Sequence, residues 1–367
     1  MTGSVAFVLP SLRGGGAEFV TREWVQELVR RGYDARVVLL AAEDDEPVLE
    51  APVDRLAKKG AGRSEQMRAL RQYLLEVRPL AAVSMMTRSN FQLLSVVQSL
   101  PRAVARPKVV ISERNMPFVE KTDSWPHRIA RSAAFRALYP RADLFIAISH
   151  PVGAAFQVIA NLTSDKIWVV PNPAVAKSGV GSAMRGELGS SITLAVPGRL
   201  VDKKRPLLAL DVAEELLKSF SKVKVEYFGE GPLLQDLPSR RGPIEVVPHG
   251  RVENWYDHVA SDAVVLLPSA VEGFGNVLVE AASRNVPSVV GSSAFGSADA
   301  VIPGVTGFFA RNDSVAEFAR AAVSASRLRS ATPPGWLDQF SLASSTDVVE
   351  RALLSVASDL SPVCGEA

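Results

Sequence analysis

Two α/β domains in series, each a parallel sheet covered by helices on both faces, are the fold that this sequence predicts, with a cleft between the domains. The chain of 367 residues has the length of two domains at about 150 residues each. Short apolar runs of strand length alternate with helical patterns in both halves, which is typical of doubly wound parallel sheets. Residues 174–191 follow neither period and form the candidate linker.

The first half begins with a strand, a glycine-rich turn and a helix. Residues 4–10 form an apolar run that predicts a buried strand, and a run of three glycines follows at 14–16. A helical pattern then covers 17–31, and Gly32 predicts its C-terminal cap. The alternation continues with predicted strands at 35–40, 80–85, 108–112 and 143–148 and predicted helices at 64–78, 89–100 and 126–138.

The second half restarts the alternation after the candidate linker. Its predicted strands are 192–196, 223–228, 244–247, 264–267 and 287–290, and its predicted helices are 206–220, 276–284, 315–328 and 344–360. We therefore place one domain at 1–176 and the other at 177–340. We expect the C-terminal helical segment, 341–367, to return towards the first domain.

Composition excludes several classes of protein. Hydrophobic residues make up 47% of the chain and charged residues 22%, which argues against a disordered protein. Cys364 is the one cysteine, so a disulfide framework or a cysteine-based metal site is excluded and a reducing cytoplasm fits. No apolar run reaches the roughly 18 residues of a spanning helix, and the first residues lack the basic start of a signal peptide. None of the four histidines lies four residues from another, so we expect no metal site.

The basic residues are concentrated in the first half of the chain. Lys and Arg number 24 against 17 Asp and Glu in residues 1–180, and 17 against 22 in residues 181–367. Much of the excess is at Lys58, Lys59, Arg63, Arg68, Arg71 and Arg78. Two interpretations stay open: an ordinary solvated helix face, or a surface that meets an anionic membrane or a phosphate-bearing acceptor. Nucleic acid is not expected as a partner, because no recognition motif accompanies these charges.

The most informative segment follows the predicted strand 264–267 and leads into a helix. It places Glu272 at the carboxyl end of that strand, where doubly wound sheets bind ligands. Gly273 and Gly275 let backbone amides approach a ligand, and the following helix start favours an anion. Glu280 has the oxygens to accept from two neighbouring hydroxyls of a ribose. The segment suits a diphosphate flanked by a ribose and a second sugar, or else is a tight turn with an acidic cap.

A second segment places cations at a strand end. Gly198 ends the predicted strand 192–196, and Arg199 and Lys204 follow within six residues. An arginine holds phosphate oxygens with two hydrogen bonds and a lysine adds a point charge, so the segment predicts a phosphate site; a solvated loop is the alternative. The glycine turn at 14–16 is not the GxGxxG dinucleotide fingerprint, and the chain has no Walker A sequence.

These residues together resemble retaining glycosyltransferases of the GT-B fold, family 4. The resemblance rests on the E-x7-E spacing of Glu272 and Glu280 and on the pair Gly198 and Lys204. Further matching pieces occur in the family's order, at 15–18, 148–149, 170–173, 229–232 and Gly250. The resemblance covers nearly the whole chain and implies two Rossmann-like domains, an N-terminal domain that binds the acceptor and a C-terminal domain that binds a nucleotide sugar.

The resemblance implies roles for matching positions. Arg199 and Lys204 would hold the donor diphosphate and stabilise the leaving nucleotide, and Glu272 would hold the donor sugar. The remaining donor-binding positions it implies are Gly15, Gly16, Gly198, Gly250, Arg251, Gly273, Phe274, Gly275, Asn276 and Glu280. Of these, Gly250 and Arg251 would face the base, Glu280 the ribose, and the backbone of 273–276 the sugar. Such enzymes use no cofactor and need no metal, since the two cations supply its electrostatic work.

The sequence departs from the family pattern after the strand 108–112. Many members carry a histidine there, whereas this chain has Ser112, Glu113, Arg114 and Asn115. This quartet resembles a subset of the family that builds lipid-linked oligosaccharides and surface polysaccharides. Two interpretations stay open: Glu113, Arg114 or Asn115 contacts the acceptor or the donor sugar, or the quartet is a buried, salt-bridged turn. Asn285 stands where a glycine is usual and is expected at a helix end in the left-handed conformation.

The resemblance implies a retaining glycosyltransferase that moves a hexose or N-acetylhexosamine from a nucleotide diphosphate sugar, UDP-linked on family frequency. The expected acceptor is a saccharide or a lipid-linked molecule. We expect the protein in the cytoplasm, peripheral on the inner face of the cell membrane. The alternatives are a nucleotide-sugar 2-epimerase of the same fold and a non-catalytic nucleotide-sugar-binding subunit.

Overall fold

The computed structural model describes residues 3–117, 125–175, 189–260, 262–329 and 331–362. The chain divides into two compact units, one formed by residues 1–173 and 342–367 and the other by residues 174–341. Residues 176–188 of the candidate linker, and Cys364, lie outside the described residues.

The first unit is built on a seven-stranded sheet with the order β3-β2-β1-β4-β5-β6-β7, in which every neighbouring pair is parallel. Its strands are β1 (Val5–Leu9), β2 (Ala35–Leu39), β3 (Val53–Arg55), β4 (Ala81–Ser84), β5 (Lys108–Glu113), β6 (Leu144–Ala147) and β7 (Ile167–Val169). Its first five helices are α1 (Gly16–Arg30), α2 (Arg63–Val77), α3 (Thr87–Gln98), α4 (Trp125–Leu138) and α5 (His150–Ala160). Because all strands are parallel, their carboxyl ends meet at one edge of the sheet.

The second unit is built on another seven-stranded sheet with the order β10-β11-β9-β8-β12-β13-β14, parallel except for the edge pair β10 and β11. Its strands are β8 (Ser191–Pro197), β9 (Lys222–Phe228), β10 (Arg240–Arg241), β11 (Ile244–Gly250), β12 (Ala263–Leu267), β13 (Ser288–Val290) and β14 (Gly307–Phe309). Its helices are α6 (Leu208–Leu216), α7 (Asn276–Ser283), α8 (Val315–Ser326) and α9 (Pro334–Asp338). Both sheets have the doubly wound strand order that the sequence predicts.

Helix α10 (Leu342–Val356) packs on the first unit rather than the second. Its buried residues Val349 and Leu353 join the core cluster that includes Trp24 and Val25 of α1. The indole of Trp24 donates a hydrogen bond to the hydroxyl of Ser345 at 2.8 Å. The apolar stripe of α10 therefore completes the cover of the first sheet.

Two predicted backbone features are confirmed. Gly32 has φ of +87° and follows the end of α1, where its N–H bonds the carbonyl of Val29 at 2.9 Å. Asn285 has φ of +56° just after α7, and its side chain accepts from the N–H of Thr332 at 2.9 Å. Left-handed residues of these two types are common helix terminators.

Candidate functional site

The loop that follows β8 is pressed against the loop that follows β9. Gly198 has φ of +131°, and the N–H of Leu200 donates to the carbonyl of Glu230 at 2.9 Å. A Cβ at Gly229 would lie 1.9 Å from the carbonyl oxygen of Gly198, and one at Gly231 would lie 2.3 Å from that of Leu200. Only glycine leaves room for this approach, so residues 229–232 support the loop that carries Arg199.

Lys204 and Glu272 are brought together at the carboxyl ends of β8 and β12, which are neighbouring strands. The ammonium group of Lys204 forms an ion pair with the buried carboxylate of Glu272, which also accepts from the hydroxyl of Ser269 at 2.7 Å. Arg199 and Lys203 are exposed on the same loop. The arrangement leaves one exposed guanidinium and one partly exposed ammonium beside a fixed carboxylate, as a diphosphate and a sugar need.

Arg205 fixes this loop in place and was missed by the sequence reasoning. Its guanidinium donates to the carbonyls of Pro268 and Ser269, at 2.5 and 3.2 Å, and pairs with Asp313 at 2.6 Å. Burial opposes ionisation of Asp313, but hydrogen bonds from Ser293 and from Arg205 outweigh it and lower the pKa of Asp313 to about 2. Arg205 therefore joins the loop after β8 to the loop after β12. Its own backbone has φ of +48°.

Gly296 packs closely against the segment between Glu272 and α7. A Cβ at Gly296 would lie 2.0 Å from the carbonyl oxygen of Glu272 and 3.0 Å from the Cα of Gly273. Gly275 has φ of +86° and immediately precedes α7, whose first residue is Asn276. The side chain of Phe274 is buried, with its ring 5.5 Å from that of Phe340. Any ligand contact of Phe274 is therefore made by its backbone.

Glu280 belongs to an aromatic cluster. Its carboxylate accepts from the indole N–H of Trp255 at 2.7 Å, and the Trp255 ring lies 5.9 Å from Phe228. His249 stacks flat on Phe228 at 4.5 Å, and Gly250 pairs with Phe228 in the sheet. The structure thus gathers Glu280 and Gly250, both predicted, around aromatic residues that the sequence reasoning missed. Trp255 is the residue of this cluster that the sequence could have indicated, since a buried indole N–H needs an acceptor such as Glu280.

The glycine turn before α1 leaves the helix start open. Gly15 is the residue preceding α1, and a Cβ there would meet nothing within 4 Å. Among the described residues no side chain caps the N–H groups at the start of α1. Unpaired N–H groups at a helix start attract anions, so the predicted role of Gly15 and Gly16 in binding a phosphate stays a prediction that this uncapped start allows.

Glu113 lies at the end of β5 in a buried polar network. Its carboxylate accepts from Thr87 Oγ1 at 2.9 Å and from Asn90 Nδ2 at 3.0 Å, and it also bonds the hydroxyl of Tyr139. Burial raises the pKa of Glu113 to about 7, although the surrounding donors act in the opposite direction.

Arg114 and Asn115 follow with different surroundings. Arg114 is buried between Asn172 and the ring of Trp24, whereas Asn115 is exposed. Glu113 and Arg114 are both buried, and no ion pair joins these two described residues. Both interpretations of the quartet, contact with the acceptor or sugar and a buried structural turn, stay predictions.

In the described part of the chain, no three His, Cys, Asp or Glu side chains are grouped as metal ligands would be. Within the same residues, no helix has the length and apolar character needed to cross a membrane.

Each half of the chain matches a known glycosyltransferase family model. Residues 14–175 match the family described as Glycosyltransferase Family 4, and residues 191–327 match the one described as Glycosyl transferases group 1. A curated relative, the phosphatidylinositol N-acetylglucosaminyltransferase GPI3 subunit of Saccharomyces cerevisiae, is 27% identical over 193 residues. That match covers 49% of this chain and 42% of the relative, so the chain spans less than half of the relative's length.

Solved structures with the same fold extend over nearly the whole chain. The lipopolysaccharide outer core galactosyltransferase WaaB is similar with a TM-score of 0.75 at 18% identity, covering 96% of this chain and 99% of that one. Anabaena HepE in complex with UDP and glucose has a TM-score of 0.71 at 16% identity, covering 96% and 100%. WaaG, a glycosyltransferase involved in lipopolysaccharide biosynthesis, has a TM-score of 0.61 at 15% identity, covering 96% and 99%. These likenesses establish the GT-B fold.

Proposed function

Because the chain carries a family 4 glycosyltransferase domain followed by a group 1 glycosyltransferase domain in one GT-B fold, we propose that it is a retaining glycosyltransferase. It moves a hexose or an N-acetylhexosamine from a UDP-linked sugar to a lipid-linked or saccharide acceptor in glycan biosynthesis. HepE, which shares the fold, binds UDP and glucose in its structure, and the yeast relative is by name an N-acetylglucosaminyltransferase.

The observation that carries the proposal is the pairing of Lys204 with Glu272 beside the exposed Arg199. In the proposed complex, Arg199 and Lys204 bind the diphosphate. An ammonium group has three donors, so Lys204 has donors left for phosphate oxygens while it stays bonded to Glu272. Glu272 and the backbone of 273–276 bind the donor sugar. The two cations then stabilise the negative charge that develops on the leaving nucleoside diphosphate.

The nucleoside would lie against the aromatic cluster of the second unit. Glu280 accepts from the ribose hydroxyls, and Gly250 and Arg251 face the base. Gly250 lies beside Phe228 in the sheet, and Trp255 holds the Glu280 carboxylate, so the ribose and base positions adjoin. Gly15 and Gly16 are proposed as further donor-binding residues, because an uncapped helix start attracts an anion.

Transfer with retention needs no metal in this account. The acceptor hydroxyl attacks from the face that the nucleotide leaves, the bond between the anomeric carbon and the phosphate oxygen breaks, and that phosphate takes the acceptor's proton. Charge stabilisation by Arg199 and Lys204 replaces that of a divalent ion. Glu113, Arg114 and Asn115 are assigned to the acceptor side of the reaction.

Turnover distinguishes this function from its alternatives. The purified chain is incubated with UDP-glucose or UDP-N-acetylglucosamine, with and without a crude lipid-linked acceptor fraction, in buffer containing EDTA. We expect UDP release that depends on the acceptor and a glycosidic bond with the anomeric configuration of the donor, read by NMR. Epimerised sugar without acceptor would indicate a 2-epimerase. Binding without turnover would indicate a non-catalytic subunit.

We also propose that the first unit meets an anionic membrane surface on the cytoplasmic side. Lys58, Lys59, Arg63 and Arg68 are exposed on and just before α2, and the yeast relative is by name a phosphatidylinositol N-acetylglucosaminyltransferase subunit. Each basic residue near an anionic surface adds about 1 kcal/mol of attraction.

Reversing these four charges to glutamate should weaken binding to vesicles with 30 mol% phosphatidylserine by at least tenfold in a sedimentation assay. The matched control reverses four exposed basic residues of the second unit, Lys218, Lys222, Arg320 and Arg327. Equal vesicle binding by both variants and the native chain would sink the membrane proposal.

A further inference from the structure

Arg114 is a buried arginine whose Nε and Nη2 atoms, which carry three of the five N–H donors of a guanidinium, have no hydrogen-bond partner among the described residues. It is 8% exposed, and its Nη1 donates to the side-chain oxygen of Asn172 at 3.1 Å. Its guanidinium carbon lies 4.6 Å from the centre of the Trp24 ring. Its Nε and Nη2 atoms are shielded from solvent and have no hydrogen-bond partner in the described structure.

The two unused donors lie on the same edge of the guanidinium. The Nε–H and one Nη–H of an arginine point in parallel, and this is the fork that grips two oxygens of a phosphate or carboxylate. Burying a cation without a counter-charge costs several kcal/mol, and burial lowers the pKa of Arg114 to about 9. An oxyanion bonded to the unpaired Nε and Nη2 atoms would offset this cost.

The neighbouring carboxylate does not fill that edge. Glu113 is bonded to Thr87, Asn90 and Tyr139, and no hydrogen bond or ion pair joins it to Arg114 among the described residues. Glu113 therefore acts on Arg114 only at a distance.

The position of the fork favours a ligand rather than a purely structural role. Arg114 directly follows β5, at the sheet edge where doubly wound folds bind ligands, and the next residue, Asn115, is exposed. Trp24, which stacks on the guanidinium, is itself anchored by Ser345 of α10. The fork is thus held in one orientation before any ligand arrives, which is what tight binding of an anion requires.

We propose that the Nε–Nη2 edge of Arg114 binds a phosphate group of a phosphorylated acceptor through two parallel hydrogen bonds. The inference rests on the proposed function, because it takes the phosphate to belong to the acceptor of the transfer reaction. The fork itself is a property of the first unit alone. Arg114 would then set the class of acceptor, favouring molecules that carry a phosphate ester over neutral sugars.

The Nε–H resonances of arginine in ¹H–¹⁵N spectra test this directly. The Arg114 resonance is identified by its loss in Arg114→Lys, which keeps the charge but lacks the fork. The protein is first saturated with UDP, so that phosphate binding at Arg199 and Lys204 is already accounted for. It is then titrated with inorganic phosphate, butyl phosphate or acetate. We expect butyl phosphate to shift the Arg114 resonance, and Arg114→Lys to weaken binding of this probe at least tenfold.

Arg31 supplies the internal control. The Nε of Arg31 donates to Glu27 at 3.2 Å and its Nη1 pairs with Asp347 and Glu350 at 2.6 Å, so the Arg31 resonance, identified by Arg31→Lys, should stay in place. An unmoved Arg114 resonance, an equal response to acetate, or a response to inorganic phosphate alone would overturn the proposal. Failure of UDP itself to shift any resonance would count against the proposed function, whereas the Arg114 result would be read independently.

Discussion

Replacing Lys204 with alanine should lower kcat/KM for the nucleotide sugar by about 10²- to 10³-fold, the loss typical when one preorganised charge-stabilising donor is removed. The structure gives two reasons. Lys204 is the partner of the buried Glu272 carboxylate, so its removal also leaves that carboxylate without its counter-charge. Its ammonium lies beside the strand end at which we place the diphosphate. Steady-state kinetics with saturating acceptor measure the effect.

Lys203→Ala is the matched control for this substitution. Lys203 lies in the same short 3-10 turn, Asp202–Lys204, but its side chain is exposed, and its backbone carbonyl, which bonds the N–H of Ala270, is kept in the variant. We expect near-native kinetics from it. Similar losses in the two variants would show that the turn matters for folding rather than for the charge of Lys204.

The second large effect concerns the pH dependence of stability. Burial raises the pKa of Glu113 in the folded chain to about 7, against 4.5 for the free side chain. The unfolded chain therefore loses this proton first as pH rises. The free energy of unfolding should fall between about pH 4.5 and pH 7, by up to about 3 kcal/mol from this one group, and stay level above that range.

Urea denaturation at pH 5 and pH 7.5 measures this difference, and Glu113→Gln should reduce it. A glutamine side chain does not titrate. Its amide N–H₂ must face the hydrogen-bond donors Thr87, Asn90 and Tyr139, so the variant should also be less stable at both pH values. The exposed Glu65→Gln on α2 should keep the native pH difference. An unchanged difference in Glu113→Gln would show that Glu113 is ionised throughout.

The fold was largely predictable because its main strands are continuous buried apolar runs. Strand β1, for example, has the sequence Val-Ala-Phe-Val-Leu and is wholly buried, as strands covered on both faces are. Strands β3, β7, β10 and β14 were not predicted. Each is two or three residues long and lies at a sheet edge, where neither length nor period distinguishes a strand from a loop.

The site was predictable where its residues follow strand ends. Lys204 and Glu272 are 68 positions apart in sequence, but both lie just after neighbouring parallel strands, and the structure joins them. The contacts that hold the site were not predictable. Arg205 and Asp313 are 108 positions apart, and their pairing depends on how helices pack on the sheet rather than on any local pattern.

The quartet Ser112 to Asn115, at the end of β5, shows a different limit of prediction from sequence. The sequence left open a buried, salt-bridged turn, and in the structure Glu113 and Arg114 are both buried but have different partners. The partners of Glu113 come from Thr87, Asn90 and Tyr139, and the partner of Arg114 comes from Asn172. Only the tertiary structure reveals that the Glu113 carboxylate is surrounded by donors and that the Nε and Nη2 atoms of Arg114 lack an acceptor among the described residues.

The most direct test of the central claim is the thermal stability of the native chain with UDP, GDP, ADP or NAD in buffer containing EDTA. A nucleoside diphosphate at about 100 times its Kd should add about 2.7 kcal/mol to the free energy of unfolding. We expect UDP to stabilise the native chain without metal and to stabilise Lys204→Ala much less. Stabilisation by NAD alone, or by none of the four, would contradict a nucleotide-sugar site at Lys204 and Glu272.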